Sequence, residues 1–381
     1  MNVDFDGVRQ TIEREIAAGA FPGAVILVSR AGEVIYHAAF GERSVEPEHT
    51  PMHPSTVFDL SSLTKPLATT TAFMLLVKDG KVRLDDRVTR FIPDFGVYGK
   101  TGVTFRHLLA HCSGLPAWRP FFREVLRAER RGRPNFVATR GAQAFAYEMI
   151  HRERPEHPTA TRTVYSDLGF MLLGEFIELA SQVTLDAFCH ERIFRPLGLR
   201  SMSFIDLTLL RMRRLTPVVD VIAPTERCTW RNKILCGEVD DDNAYAMGGV
   251  AGHAGLFANA ADVDALVRRL RACHRGEDDF VPAEIVREFW RRDGAVENST
   301  WALGWDTPSP EGSSAGHHVG PNAVGHLGFT GTSMWLDLER DLHVVLLTNR
   351  VHPSRANERI REVRPQVHDA VMAAYQTCAS T

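Results

Sequence analysis

The sequence predicts an α+β fold in which both ends of the chain build one antiparallel sheet flanked by helices. Two β-rich runs around an Ala-Gly turn, residues 23–30 and 33–41, predict a hairpin near the N-terminus. Two further runs, residues 333–338 and 342–349, flank a charged turn near the C-terminus. The chain between these two pairs shows mostly helical periodicity, which indicates a helical domain inserted into the sheet domain.

Helices are predicted at both ends and through the middle of the chain. The predicted helices cover residues 8–17, 105–111, 121–131, 170–180, 260–273 and 360–376. Another helix follows Ser62, with Pro66 in its first turn, where the missing N–H of proline removes no hydrogen bond. Asn259 is the predicted N-cap of the helix that begins at Ala260.

The length of 381 residues is sufficient for two or three domain-sized units. We expect a sheet domain from residues 1–58 and 295–381, and a mostly helical domain from residues 59–294. The net charge of -3 gives no basic field for a nucleic-acid partner. No apolar run approaches the roughly 20 residues that span a bilayer.

The N-terminus and the cysteines favour a cytoplasmic location. Residues 1–7 contain none of the basic, apolar and cleavage-site segments of a signal peptide. No C-x-x-C pair or zinc-spaced Cys/His cluster occurs, so we expect free, buried thiols and no metal or cofactor. His317 and His318 are interpreted as a solvated pair in a loop. The cysteines lie at positions 112, 189, 228, 236, 273 and 378.

The most informative motif is Ser62-Leu63-Thr64-Lys65, the single S-x-x-K of the chain. Residues three apart share a helix face, so Lys65 can lie against the Ser62 oxygen. A neighbouring amine activates a serine by taking its proton. The predicted helix start adds free N–H groups and a dipole that favour developing negative charge. Alone, the motif is weak, because most such pairs are two solvated residues.

Two further segments extend this motif into a family resemblance. Tyr165-Ser166-Asp167 precedes an apolar helix, and Gly325-His326-Leu327-Gly328-Phe329 leads towards a strand. In this order, the three segments resemble the serine penicillin-recognising hydrolases: class C β-lactamases, D,D-peptidases, D-aminopeptidases and related carboxylesterases. That family carries S-x-x-K, then Y-x-N or a variant, then K-T-G or H-x-G on an edge strand. The resemblance covers most of the chain.

The resemblance implies a β-lactamase-like α/β sandwich with the active site between its sheet and its helical domain. It implies that Ser62 attacks a carbonyl carbon and becomes acylated. Lys65, with a pKa lowered by partial burial, would take the serine proton, and Tyr165 would act as base or proton relay. The N–H groups of Ser62 and of Phe329, on a strand, would form the oxyanion hole. The expected substrate-binding residues are Asp167, His326, Gly328 and Asn349, with a structural role for Asn349 as the alternative and His253 as a cleft-lining candidate.

Two departures from the family pattern narrow the expected activity. Asp167 replaces an Asn and so loses an amide donor, although it can accept hydrogen bonds from Lys65 and raise the lysine pKa. His326 replaces a lysine, and a neutral imidazole is a weaker anion anchor. Leu327 removes a hydroxyl that β-lactam carboxylates use.

We therefore expect a serine hydrolase, and a carboxylesterase acting on small acyl esters is the first choice. The alternatives are β-lactamase or D-amino-acid peptidase activity, and a non-catalytic binding or scaffold protein. The expected partner is a small-molecule ester or amide, without nucleic acid or a membrane span. The sequence leaves the oligomeric state open.

Overall fold

Both chain ends contribute strands to one antiparallel sheet in the computed structural model, which describes residues 3–379 and the side chains of residues 3–376. The strands are β1 (Gly23–Arg30), β2 (Glu33–Ser44), β3 (Thr50–Pro51), β4 (Phe58–Asp59), β5 (Ser203–Phe204), β6 (Arg227–Cys228), β7 (Lys233–Ile234), β8 (Leu256–Ala258), β9 (Val324–Leu327), β10 (Ser333–Asp337) and β11 (Leu342–Thr348). The main sheet has the order β3-β2-β1-β11-β10-β9. Strands β1 and β11 pair antiparallel and so join the two predicted hairpins.

Helices lie on both faces of this sheet and through the middle of the chain. They are α1 (Asp6–Ala17), α2 (Thr71–Lys78), α3 (Phe105–Leu109), α4 (Phe121–Arg130), α5 (Arg140–His151), α6 (Asp167–Ser181), α7 (Leu185–Cys189), α8 (Leu207–Arg211), α9 (Asp242–Ala246), α10 (Ala260–Arg275), α11 (Ala283–Trp290) and α12 (Ile360–Ala379). The α+β class is confirmed. The predicted cap is confirmed too, because Asn259 Oδ1 accepts from Asp262 N at 2.9 Å.

Strand β1 is buried on both of its faces, since successive side chains of a strand point to opposite sides. Val25 and Leu27 belong to a large core shared with the helical middle of the chain. Ala24, Ile26 and Val28 belong to a smaller core formed with α1 and α12. The sheet is therefore a central layer between two apolar cores.

Helix α10 covers the face of the sheet that α1 and α12 leave open. Its Asp264 accepts hydrogen bonds from Ser29 Oγ of β1 at 2.5 Å and from His343 Nδ1 of β11 at 2.9 Å. Helix α10 falls within residues 59–294, the segment predicted to form the helical domain. The predicted domain boundaries stay a prediction.

The loop between β9 and β10 is held against the chain that follows β4. Thr330 Oγ1 donates to the carbonyl of Asp59 at 2.7 Å, and Thr332 Oγ1 donates to that of Leu60 at 3.1 Å. Asp59 Oδ1 also accepts from Ser61 N at 2.8 Å. These bonds bring the predicted nucleophile segment to the edge of the sheet.

Five cysteines are free thiols, four of them buried and Cys236 half-buried, whereas the side chain of Cys378 lies outside the described residues.

Over residues 3–379, no single helix is long and apolar enough to cross a membrane. Helix α6 and residues 185–194 together reach the required length and composition, but as a pair bent by 73°. In the same residues, no group of three or more His, Cys, Asp or Glu could hold a metal ion. His317 Nδ1 lies 2.7 Å from Asp369 Oδ2 at the surface.

Candidate active site

Ser62 and Lys65 lie on a continuous helical segment. A 3-10 turn, Ser61–Leu63, leads through the π-helical residues Lys65–Thr70 into α2. Lys65 Nζ donates to Ser62 Oγ at 3.0 Å and to the backbone oxygen of His253 at 3.0 Å. The Lys65 side chain has no exposed surface. The contact expected from the spacing of the motif is present.

Asp167 sets the charge of Lys65. Asp167 is the first residue of α6, and its Oδ1 lies 2.7 Å from Lys65 Nζ. Burial is the largest single influence and lowers the pKa of Lys65, but the charges and hydrogen bonds of Asp167 and Tyr165 together outweigh it and raise that pKa. The prediction of a lowered lysine pKa through partial burial is therefore wrong. Lys65 is fully buried, and it is an ammonium in the resting site.

Tyr165 lies beside Ser62 and Lys65. Lys65 Nζ is 4.8 Å from the centroid of its ring, and its hydroxyl is hydrogen-bonded to Lys65 and to Ser62. Burial raises the pKa of Tyr165 despite the opposing charge of Lys65, so the resting side chain is a neutral phenol. Its ring stacks on Trp301, with centroids 5.4 Å apart, and contacts His111 at 4.7 Å. Sequence analysis does not single out Trp301, because a lone tryptophan carries no motif.

The third motif lies on β9, at the edge of the main sheet. His326 Nδ1 donates to the carbonyl of Leu327 at 2.8 Å, and since a carbonyl only accepts, the proton is on Nδ1. Burial, assisted by the charge of Lys65, lowers the pKa of His326 to about 3, so its imidazole is neutral. At Gly328, a side chain would lie 2.6 Å from the carbonyl of Leu60, so glycine is required for this close approach.

Phe329, the second expected oxyanion donor, lies in a turn after β9 and not on a strand. Its N–H donates to Ser61 Oγ at 3.2 Å. Arg350 Nε donates to the Phe329 carbonyl, which belongs to the next peptide unit, at 2.8 Å. A substrate oxyanion at the Phe329 N–H would replace the Ser61 hydroxyl. The oxyanion roles of Phe329 and Ser62 stay a prediction.

Asn349 follows β11 and lies against strands β1 and β2. Its Oδ1 accepts from Gly23 N at 2.8 Å, and its Nδ2 donates to the carbonyls of Glu42 and Arg43 at 3.0 and 2.9 Å. The side chain is buried. These contacts agree with the structural alternative, because Asn349 uses both amide hydrogens and its carbonyl oxygen to connect β1, β2 and the end of β11. Its substrate-binding role stays a prediction.

Ser62 and Tyr165 border two cavities. The larger one, which we call the arginine cavity, has a volume of about 420 Å³ and is also bordered by His326, by Arg350, Arg361 and Arg364, and by the acidic residues Asp306 and Glu358. The smaller one, the aspartate cavity, has a volume of about 310 Å³ and is also bordered by His253, Asp167, Asp240, Asp241 and Asp242. His253 thus lines the cleft as expected. Sequence analysis does not single out Asp240–Asp242, although the acidic run 238–242 is a visible signal.

Comparison with known proteins agrees with this geometry. The model of the Beta-lactamase family matches residues 8–368. The chain belongs to the β-lactamase family. This family member is 32% identical over 373 residues to an N-acetylmuramyl-L-alanine amidase of Bacillus subtilis (strain 168), covering 91% of this chain and 80% of the relative. It is 31% identical over 376 residues to a putative D-alanyl-D-alanine carboxypeptidase of Escherichia coli (strain K12), covering 90% and 81%.

Solved structures share the fold of this β-lactamase-family protein. EstCE1, a hydrolase with promiscuous acyltransferase activity, aligns with a TM-score of 0.73 at 24% identity, over 96% of this chain and 97% of its own. An octameric penicillin-binding protein homologue from Pyrococcus abyssi aligns with a TM-score of 0.70 at 22% identity, over 97% and 77%. The predicted β-lactamase-like fold is confirmed, and the protein is a serine hydrolase by family.

Proposed function

We propose that this protein hydrolyses amide bonds in small peptide-like substrates through an acyl-enzyme on Ser62. The observation that carries the proposal is the contact of Ser62 with both Lys65, at 3.0 Å, and the neutral phenol of Tyr165, at the junction of two cavities. An amide nitrogen leaves readily only after it gains a proton, and a neutral phenol can supply one. An ester oxygen depends less on such a donor.

Acylation begins from a charged pair. Lys65 must lose its proton to solvent before it can accept one from Ser62, and the carboxylate of Asp167, at 2.7 Å, opposes that loss. Ser62 Oγ then bonds to the carbonyl carbon, the C–N bond breaks, and the leaving nitrogen takes the proton of Tyr165. The phenolate regains a proton from Lys65. Water then hydrolyses the Ser62 ester and releases the acid.

The names of the relatives support amide chemistry. An amidase and a putative D-alanyl-D-alanine carboxypeptidase both denote cleavage of amide bonds, and each covers at least nine tenths of this chain. The carboxylesterase expected from the sequence becomes the second candidate. Asp167 favours it, because a carboxylate engaged with Lys65 offers no donor to a substrate amide.

A fluorophosphonate probe tests the nucleophile. We expect a covalent adduct on Ser62, located by mass spectrometry, and none in Ser62→Ala. Ser55→Ala, which changes an exposed serine outside both cavities, is the matched control and should label like the unaltered chain. If folded protein acquires no adduct on Ser62, both enzyme candidates are wrong and a binding or scaffold role remains.

A substrate panel separates the two candidates. We expect turnover of a D-alanyl-D-alanine peptide, slower turnover of nitrocefin because His326 is neutral, and accompanying hydrolysis of p-nitrophenyl butyrate. Turnover of p-nitrophenyl butyrate without any cleavage of peptides or acyl anilides would replace the amidase by the carboxylesterase. The readout is kcat/KM for each substrate.

A further inference from the structure

His111 lies against Tyr165 but borders neither cavity. Its ring centroid is 4.7 Å from that of Tyr165 and 4.5 Å from that of Trp301. The side chain is almost completely buried. A substrate in these cavities contacts Tyr165 and not His111, so any effect of His111 on the reaction has to pass through a neighbouring residue.

Two hydrogen bonds join His111 to the residues on either side of Tyr165. The backbone carbonyl of His111 accepts from Val164 N at 2.8 Å. Its side-chain Nδ1 accepts from Ser166 N at 3.0 Å, and Ser166 has an extended backbone. N–H groups two residues apart in an extended chain point to the same side, so a single residue can bind both. The backbone of Tyr165 is thereby held from both directions.

The backbone and the charge state of His111 both suit this double contact. Its φ of 56° lies in the left-handed region, which is uncommon for a residue other than glycine. Burial, assisted by the charge of Lys65, holds the pKa of His111 well below its ordinary value, so the imidazole is neutral. A neutral ring keeps a lone pair on Nδ1 for Ser166 N, whereas a protonated ring offers only donors.

The start of α6 is held without His111. Ser166 Oγ donates to the carbonyl of Pro116 at 2.6 Å, and Asp167 N donates to that of Ala117 at 2.9 Å. These two bonds keep α6 in place if the imidazole is removed. The imidazole therefore matters for the direction of the phenol more than for the fold.

We propose that His111 is a positioning residue, which holds Tyr165 so that its hydroxyl reaches Ser62 and the leaving nitrogen. The inference rests on the proposed function, because it assigns to His111 the geometry of the leaving-group proton donor. In the resting site this hydroxyl is hydrogen-bonded to Ser62 and to Lys65. Without the bond at Ser166 N the segment gains freedom, and a displacement of about 1 Å can lower a rate about 100-fold.

Two substitutions that suit the left-handed backbone test the proposal. His111→Gly removes the imidazole and keeps the carbonyl that binds Val164 N. His111→Asn also tolerates this conformation and offers a side-chain oxygen in place of Nδ1. For a D-alanyl-D-alanine peptide we expect kcat to fall at least about tenfold in His111→Gly, with KM within about threefold, and to recover most of this loss in His111→Asn.

Fluorophosphonate labelling shows whether the rest of the site is intact in these variants. Fluoride leaves without taking a proton from Tyr165, so the labelling rate of Ser62 should stay within about threefold in both. A loss of kcat of about tenfold or more in labelled His111→Asn would contradict the proposal on its own, whether or not His111→Gly folds.

A double substitution separates positioning from a merely structural role. If His111 acts through the phenol, adding His111→Gly to Tyr165→Phe should lower kcat by less than about threefold. A full further loss in the Tyr165→Phe background, or no loss from His111→Gly alone, would overturn the proposal.

Crystal structures of the three chains test the same point without turnover. We expect the Tyr165 hydroxyl within hydrogen-bond distance of Ser62 Oγ in the unaltered chain and in His111→Asn, and displaced in His111→Gly. A hydroxyl that stays in place in His111→Gly would refute the positioning role. This failure is distinct from absent labelling of Ser62 in the unaltered chain, which would refute the proposed function.

Discussion

Lys65 and Lys100 are both almost completely buried, yet their pKa values shift in opposite directions. Lys65 lies 2.7 Å from the carboxylate of Asp167, which raises its pKa despite burial. Lys100 Nζ donates to the backbone carbonyls of His151 and Glu153. Burial lowers the pKa of Lys100 to about 8.

The difference shows that the charge of the partner decides in which direction the pKa of a buried lysine shifts. Carbonyl dipoles satisfy N–H donors but replace only part of the lost hydration of a charge. A carboxylate in contact replaces more of it. At Lys65 this carboxylate favours the ammonium form, so Asp167 links the charge of the site to its proposed chemistry.

The largest expected effect separates the two lysines by function. Lys65→Met should lower kcat/KM by about 1000-fold or more, because it removes the proposed proton acceptor of Ser62. Lys100→Met should leave kcat/KM within about threefold, since Lys100 borders neither cavity. Steady-state kinetics on one substrate measures both. Similar losses in the two variants would show that lysine burial, and not the contact with Ser62, matters for activity.

The next largest effect concerns Tyr165, whose hydroxyl is hydrogen-bonded to both Lys65 and Ser62. Tyr165→Phe should reduce amide turnover by about 100-fold, because the leaving nitrogen loses its proton donor. The reduction should be smaller for p-nitrophenyl butyrate, whose leaving group is a weak base. The ratio of the two kcat/KM values is the measurement. Equal reductions for both substrates would remove Tyr165 from leaving-group protonation.

A smaller effect is expected for Asp167→Asn, in which burial should lower the pKa of Lys65 as it lowers that of Lys100. Asp167→Asn removes the charge that raises the lysine pKa and leaves burial, which lowers it. If neutral Lys65 is the base, activity rises with pH, and in the variant this rise should occur at least about one pH unit lower. The pH dependence of kcat/KM measures the shift, with Asp220→Asn as a control of equal charge change. An unchanged profile would show that Asp167 does not set the protonation of Lys65.

The smallest effect is on stability at Lys100. Its folded pKa of about 8 lies below the unfolded value, so the folded state binds fewer protons between about pH 8 and pH 10.5 and stability gains from this group as pH rises. Below about pH 8 the cost of burying the charge is present in full. Lys100→Met cannot gain stability in this way. The free energy of unfolding of the variant minus that of the unaltered chain should therefore be larger at pH 7 than at pH 10. Urea unfolding at pH 7 and pH 10 measures it, and parallel pH dependences would contradict the burial of a charged Lys100.

Local sequence determined much of the framework and one contact of the site. The β-rich run Gly23–Arg30, the cap at Asn259 and the spacing of Ser62 and Lys65 depend on neighbours within a few residues, where backbone geometry leaves little freedom. The neutral imidazole of His326 could also be predicted, because the ordinary pKa of histidine already lies below 7. Its further lowering to about 3 depends on burial and on Lys65, which the fold brings close.

Only the tertiary structure decided which charges meet across long stretches of chain. It placed Asp167 against Lys65 and so decided between a lowered and a raised lysine pKa, and it placed Asn349 in contact with β1 and β2. It also brought Asp241 and His253 together beside Ser62. The sequence names each of these groups, but the distance between two charges, which sets their interaction, exists only after folding.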